Sequence, residues 1–377
     1  MEGGAIVSHT EWRPSQEQAA GYVRRQLGDE AAIAGDWSCS RLGWQPSNEV
    51  TGGLYRVAGT AALAGRTLPW SFVVKLVIPA AADEPGHYNY WRREALAYQS
   101  GLLEDLPGIR APRCYGVEEQ PDGSFRLWLE EAVGLDTQEW TATHYLNAAY
   151  RLGLFNGAYL QEWPLPDEPW LCRGWLSSWV AASEPYDDGS AWRADTWEHP
   201  RLRAEFPLSA AKRFAAFDSR RTDLLAGLRR LPQVFTHNDA WPPNLIWGGD
   251  GTLTAIDWAF AGIAGVGEEL GRMYGLCLHQ SLPEGLDDGA FPGMLLDAYG
   301  EGLHESGWRG PAQAVRYGFA ASAGLRCGML VPKLVQAARQ PAPDAEAAER
   351  FAQRCRIARC LLERAEEAIA LLPEAGC

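Results

Sequence analysis

The stretch Gln233-Val234-Phe235-Thr236-His237-Asn238-Asp239-Ala240-Trp241-Pro242-Pro243-Asn244, continued after a turn by Leu253-Thr254-Ala255-Ile256-Asp257-Trp258, decides how this chain is read. Residues 232–258 pattern as loop and short strands, with Leu245-Ile246-Trp247 before the turn Gly248-Gly249-Asp250-Gly251. The flanking segments carry apolar residues at three- and four-residue spacing, which predicts helices over 141–160, 204–230, 268–280, 291–306, 311–338 and 344–371. A β-island within a helical region thus concentrates Asp239, an Asn five positions on and a second Asp eighteen positions on. Alone, His-x-Asp is a polar turn, because Asn and Asp favour loops and Pro242-Pro243 stiffens one. Together, the three groups form the set that magnesium-dependent phosphoryl transfer requires. One carboxylate accepts the proton of the attacking hydroxyl, while an amide oxygen and a second carboxylate hold a metal that keeps several waters.

Composition narrows the field around this stretch. The 377 residues are 46% hydrophobic and 22% charged, enough for a buried core and for two lobes. No apolar run approaches the 18 residues of a membrane span, and the first ten residues lack the basic-then-apolar order of a secretory signal, so a cytoplasmic protein without a membrane partner is expected. A net charge of −14 disfavours nucleic acid as partner. Eight cysteines without a Cys-x-x-Cys or a paired-His zinc spacing predict reduced thiols. No Gly-Lys-Ser/Thr occurs, which excludes a Walker-type phosphate loop. All but three of the 34 basic residues are arginine, so Lys75, Lys212 and Lys333 stand out.

Towards the N-terminus, residues 15–28 predict an amphipathic helix opened by Ser15 and closed by Gly28. Strand-type runs follow at 53–58, 69–78, 113–119 and 125–131, interrupted by one helical stretch at about 88–103. In Phe72-Val73-Val74-Lys75-Leu76-Val77, alternation puts Val73, Lys75 and Val77 on one face. A lysine among valines is costly to bury unless paired. Its compact ammonium suits the α- and β-phosphates of a nucleotide better than a guanidinium fork would. The expected partner is Glu94, nineteen residues on and within the single helix. A solvated edge-strand lysine and a surface glutamate are the plainer alternatives.

With these residues quoted, the chain resembles the aminoglycoside phosphotransferase and choline kinase family, small-molecule kinases with a protein-kinase-like fold. The family's His-Gly-Asp-x-x-x-x-Asn pattern stands here as His237-Asn238-Asp239 and Asn244, with Asn in place of the usual Gly. The resemblance implies that Asp239 is catalytic, that Asn244 and Asp257 are Mg2+ ligands, and that His237 orients the loop. Glu269, in Gly267-Glu268-Glu269-Leu270, stands where Asp is common, with a structural role. Thr51-Gly52-Gly53-Leu54 resembles the family's glycine-bearing turn over the phosphates, and the backbones of Glu131 and Val133, in the link between lobes, would bond the adenine edge. The implied fold is α+β. An N-terminal nucleotide-clamping lobe, residues 1–131, carries a small antiparallel sheet and one helix. A larger, mostly helical C-terminal lobe, residues 132–377, carries the catalytic loop and the acceptor site.

The expected activity is transfer of the γ-phosphate of ATP, or of GTP, to a hydroxyl of a small molecule. Between 130 and 200, twelve acids face three arginines (Arg151, Arg173, Arg193), and seven tryptophans intervene. Carboxylates with tryptophans suit a cationic or sugar-like ligand through ion pairs and cation–π contacts. An aminoglycoside or other amino sugar therefore ranks first, and a neutral sugar or choline second; a solvated acidic loop over a tryptophan core is the alternative. A catalytically silent nucleotide-binding module is the second functional alternative. A protein kinase is disfavoured, since no Arg separates His237 from Asp239 and no Ala-Pro-Glu follows Asp257. A monomer or homodimer is expected.

Overall fold

The computed structural model describes residues 12–43, 49–207, 209–280, 282–341 and 344–372. The first ten residues, read above for a secretory signal, and Cys377 lie outside them. The chain divides into two compact units: residues up to 83 with 95–104 and 112–132, and residues 84–94 and 105–111 with everything from 133 on.

The first unit is a helix on an antiparallel sheet. Helix α1 (Gln16–Leu27) begins as its sequence predicts, with Ser15 and Gln18 closing a reciprocal capping box, and stops at Gly28 in the left-handed conformation. The five strands are β1 (Ile33–Arg41), β2 (Thr51–Leu63), β3 (Arg66–Val77), β4 (Cys114–Glu119) and β5 (Phe125–Glu130), in the order β1-β2-β3-β5-β4. β2 and β3 are joined at Ala64-Gly65, both with positive φ, a two-residue hairpin connection. One sheet face buries Tyr55, Val57, Phe72, Val74 and Trp128 under Tyr22 and Val23 of α1, with Tyr22 stacked on Trp128 at 4.1 Å between ring centroids. Strand β1, absent from the sequence reading, is an edge strand exposed along most of its length; its only alternation is short, Trp37 and Cys39 between Asp36, Ser38 and Ser40, and these two pack against the core.

Helix α2 (Arg93–Gln99) is shorter than the expected 88–103. The reason is Arg93, whose fully buried guanidinium collects the carbonyls of Pro85, His87 and Tyr88, so the chain before it folds as turns around the charge.

The second unit is mostly helical: α3 (Ala142–Ala158), α4 (Trp175–Ser183), α5 (Pro200–Glu205), α6 (Ala210–Leu228), α7 (Glu268–Cys277), α8 (Phe291–Glu305), α9 (Ala312–Leu325), α10 (Cys327–Arg339) and α11 (Ala345–Leu371). The single helix expected over 311–338 is two, with a corner at Arg326. The β-island is present as β7 (Gln233–Thr236), β8 (Leu245–Trp247) and β9 (Leu253–Ala255). It is enlarged by two strands absent from the sequence reading, β6 (Cys172–Arg173) and β10 (Gly262–Gly265), in the order β6-β10-β7. β10 is four residues long, buried throughout, and has one bulky side chain, Ile263, between small residues, which gives too little alternation to read. α3 and α8 pack closely: a Cβ on Gly153 would stand 2.2 Å from the Tyr299 carbonyl oxygen. That approach brings Asn156 of α3 to Tyr299 of α8, the first link of the network below.

Candidate active site

The loop after β7 is suspended from one buried carboxylate. Glu269 Oε1 accepts the backbone N–H of His237 at 2.7 Å and of Asn238 at 2.9 Å, while Oε2 accepts Nδ2 of Asn156 at 2.9 Å. Asn156 also donates to the Phe235 carbonyl, and its Oδ1 accepts the Tyr299 hydroxyl at 2.7 Å. Burial pushes the Glu269 carboxyl up to about 7, against the pull of those donors and of Arg272. Glu269 thus has the structural role left to it in the sequence. A longer side chain than Asp here spans from α7 to two successive backbone amides.

Those amides belong to a constrained turn. Asn238 has φ 59° and Asp257 φ 63°, two of the three non-glycine residues with positive φ among the described residues. Glycine is the easy residue at the first of these positions, and Asn tolerates it. Asn238 further donates its Nδ2 to the Phe260 carbonyl at 3.1 Å. His237 is fully buried, so its imidazole is held below the ordinary His range, with Asp239 acting in the other direction. It lies 2.9 Å from the Ile256 carbonyl through Nε2, and its Nδ1 accepts the Asp239 N–H at 3.1 Å. Neutral His237 therefore ties the residue before Asp257 to Asp239 itself.

The same region is tied again through the backbone. Leu245 of β8 pairs with Ala255 of β9, and the Ile256 N–H reaches the Asn244 carbonyl at 2.9 Å. Asn244 and Asp257 thus flank one end of a short hairpin. Asn244 Nδ2 donates to Asp239 Oδ2 at 2.8 Å and to the Asp239 carbonyl at 3.0 Å, which turns Oδ1 away and leaves it without a donor among the described residues. An amide oxygen oriented outward beside a carboxylate suits a hard divalent cation that takes oxygen ligands and retains waters.

Asp239 has one more neighbour, unforeseen in sequence. Arg272 donates Nη2 to Asp239 Oδ1 at 2.6 Å and has its Cζ over the Trp175 ring, 3.8 Å from the centroid. Arg272 and Glu269 are three residues apart on α7 and so share a face; an acid and an arginine at that spacing on a helix of few charges were the available signal. Asn156 and Tyr299 had none, being far away in sequence on helices that read as core.

The remaining expected site residues fall as follows. Lys75 is 5% exposed on β3, opposite Leu127 of β5, on the face away from Phe72 and Val74, as alternation predicted. Gly52 and Gly53 are not a free turn. They begin β2, where the β2–β3 register shifts between Thr51 and Gly53, and a Cβ on Gly52 would meet Ile78 at 2.7 Å. Glu94 is buried in the first turn of α2. Glu131 pairs with Arg56 at 2.6 Å; burial resists its ionisation, but hydrogen bonds from Arg56 and Ser71 and the charge of Arg56 prevail and hold the carboxyl below its ordinary value. Val133 is 76% exposed.

The tryptophans between 130 and 200 are largely core. Trp140, Trp170, Trp175 and Trp197 are buried, and Arg272 and Arg326 lie over Trp175 and Trp179. Several of the acids there are committed within the chain: Asp136 and Glu139 cap a turn, Asp167 pairs with Arg173, and Asp187 meets Trp192 and Arg221.

Residues 173–313 match the sequence model of the phosphotransferase enzyme family. The match takes in the loop, Asp257 and α7, and bears out both the resemblance read in the sequence and the expectation of a phosphotransferase enzyme. No curated protein matches the chain. Among solved structures, an amicoumacin kinase in complex with AMP-PNP, Ca2+ and Ami is 14% identical with a TM-score of 0.54, covering 94% of this chain and 96% of that one. A microcompartment-associated aminopropanol kinase is 16% identical, TM-score 0.52, covering 92% and 97%. A choline kinase from Cryptosporidium parvum is 12% identical, TM-score 0.51, covering 95% and 98%. At these identities the likeness concerns the fold, and it bears out the α+β, kinase-like class. No helix among the described residues is long and apolar enough to cross a membrane.

Proposed function

We propose that the chain transfers the γ-phosphoryl group of ATP to a hydroxyl of a small molecule, with Asp239 as the catalytic carboxylate. The supporting observation is the suspension of the Asp239 loop from Glu269, with Asn244 turned so that its amide nitrogen faces Asp239 and its oxygen faces out. In this reading the acceptor hydroxyl sits against Asp239. Its oxygen bonds to the γ-phosphorus, the bond from that phosphorus to the β–γ bridging oxygen breaks, and the hydroxyl proton passes to the Asp239 carboxylate while ADP leaves. Arg272 offsets the carboxylate charge and fixes its plane, and each carboxylate oxygen keeps a lone pair for the hydroxyl. Asn244 and Asp257 would hold Mg2+, which when bound offsets charge on the nucleotide phosphates. Lys75, Gly52, Gly53 and Glu94, with the Glu131 and Val133 backbones, keep the nucleotide-side roles that the resemblance implies. ATP is taken as donor over GTP because AMP-PNP is the nucleotide named in the amicoumacin kinase complex.

The test is ADP release with Mg·ATP across a panel of amino sugars, neutral sugars, sugar acids and choline, repeated with Asp239→Ala. Turnover should fall by about 10³-fold or more in the variant, with nucleotide affinity by calorimetry within about twofold of the parent. An Asp239→Ala variant as fast as the parent with its true acceptor would remove Asp239 from the chemistry.

A further inference from the structure

Three arginines of the second unit are buried, and they differ in how their charge is matched. Arg93 gives its N–H groups to the carbonyls of Pro85, His87, Tyr88, Trp170 and Ala259. Arg272 pairs with Asp239. Arg326, 8% exposed at the corner between α9 and α10, donates no side-chain hydrogen bond and forms no ion pair with any described residue. Leaving a buried ion unpaired is costly, and an apolar side chain would fill the corner without that cost. Burial, with Arg272 nearby, pushes the guanidinium down to about 9, and Asp239 opposes the shift. Helix α7 is cut away to admit it: a Cβ on Gly275 would lie 2.6 Å from Arg326 Cδ.

The side chain lines a cavity of about 340 Å³. Around it stand His279, Lys333, Arg350 and Arg354, one side is Trp179, and no carboxylate is among the lining residues. Arg350 leans on Glu346 and Lys333 lies over Tyr186, while Arg354 is exposed. Concentrated positive charge around an unmatched guanidinium is out of keeping with a chain of net charge −14. The cavity is connected to the catalytic loop by contacts. Arg326 lies over Trp179, Trp179 stacks on Trp175 at 6.0 Å, and Trp175 carries Arg272, which holds Asp239.

We propose that this cavity receives the anionic end of the acceptor, a small hydroxylated compound carrying a carboxylate or a phosphate. The proposal rests on the phosphotransferase reading and deepens it: the hydroxyl goes to Asp239, and the anion goes to Arg326 in a bidentate pair, with Trp179 covering the carbon frame. The cation–π positions that a cationic acceptor would use on Trp175 and Trp179 hold the chain's own arginines.

The test uses four matched probes on the full chain: glucosamine, glucose, glucuronate and glucose 6-phosphate. Calorimetric titration is done without nucleotide at constant ionic strength. At least one of the two acidic probes should bind at least about tenfold more tightly than glucose, and glucosamine more weakly. Comparing glucuronate with glucose 6-phosphate decides between carboxylate and phosphate. Arg326→Gln should remove the preference, Arg326→Lys should keep part of it, and the exposed Arg354→Ala should weaken it without touching the core. Acidic probes that bind no better than glucose, or a preference intact in Arg326→Gln, would overturn the proposal. ADP release in the same panel separates the two readings. Acid binding through Arg326 with no phosphoryl transfer to any compound would sink the kinase and keep the anion site. Fast transfer to glucosamine, unaffected by Arg326→Gln, would do the reverse.

Discussion

Under the sheet of the first unit, Tyr22, Phe72 and Trp128 meet face and edge with no hydrogen bond among the three rings. Trp70 and Trp128 there even bury their indole N–H groups without a partner among the described residues. Under the Asp239 loop of the second unit, Tyr299, Asn156 and Glu269 are buried as deeply, yet each places its polar atoms on a particular donor or acceptor. The first region is held by area and shape, which many side chains of similar volume satisfy. The second is held by matched hydrogen bonds, and removing one member strands the others in a low-dielectric interior. A loop that must present a carboxylate in one orientation is better served by the second kind of core.

The sharpest test of this contrast exchanges residues of similar size in both regions. Asn156→Leu should cost at least about 3 kcal/mol by urea denaturation, since Glu269, Tyr299 and the Phe235 carbonyl all lose a partner. Turnover should fall further than stability alone explains. Phe72→Leu should cost only about 1–2 kcal/mol and leave turnover unchanged in the surviving folded fraction. If Phe72→Leu proves the more damaging of the two, the contrast is mistaken.

A smaller effect is pH-dependent. The folded chain holds the Glu269 proton more tightly than the unfolded chain, about 7 against 4.5. Stability from this group is therefore complete below about 4.5 and is lost as pH rises through about 7. Thermal midpoints from pH 4 to 8 should show that loss in the parent, and Glu269→Gln should reduce it without abolishing it, because burial pushes the neighbouring Glu268 carboxyl up to about 7 as well. At the bottom of the scale is the half-exposed Arg56–Glu131 pair of the first unit. Arg56→Ala should change stability by less than about 1 kcal/mol, and less still at high salt, in a denaturation series. A larger loss would mean that Glu131 is positioned by that pair for more than surface charge.

Much of this arrangement is written locally. The capping box of Ser15 and Gln18, the Ala64-Gly65 hairpin, the alternation that turns Lys75 away from Phe72 and Val74, and the order His237, Asp239, Asn244, Asp257 all depend on neighbours within a few residues or on one repeat of strand geometry. Such rules survive without knowledge of the rest of the chain, so they could be read directly. Even the substitution of Asn238 for glycine follows locally, from a left-handed turn that asparagine tolerates.

What hangs the loop in place could not be read that way. Asn156 and Tyr299 reach Glu269 because α3 and α8 approach at Gly153, and β10 joins β7 through four residues, Gly262 to Gly265, too short a run to show a pattern of its own. The count of acids and tryptophans between 130 and 200 pointed to a cationic or sugar-like ligand, and a count confined to that window leaves out Arg272 and Arg326, which reach Trp175 and Trp179 from helices outside it. Whether a charge is matched inside the protein or left to face a ligand depends on what stands beside it in space, and side-chain pairing across a core is set by packing that a linear order does not contain.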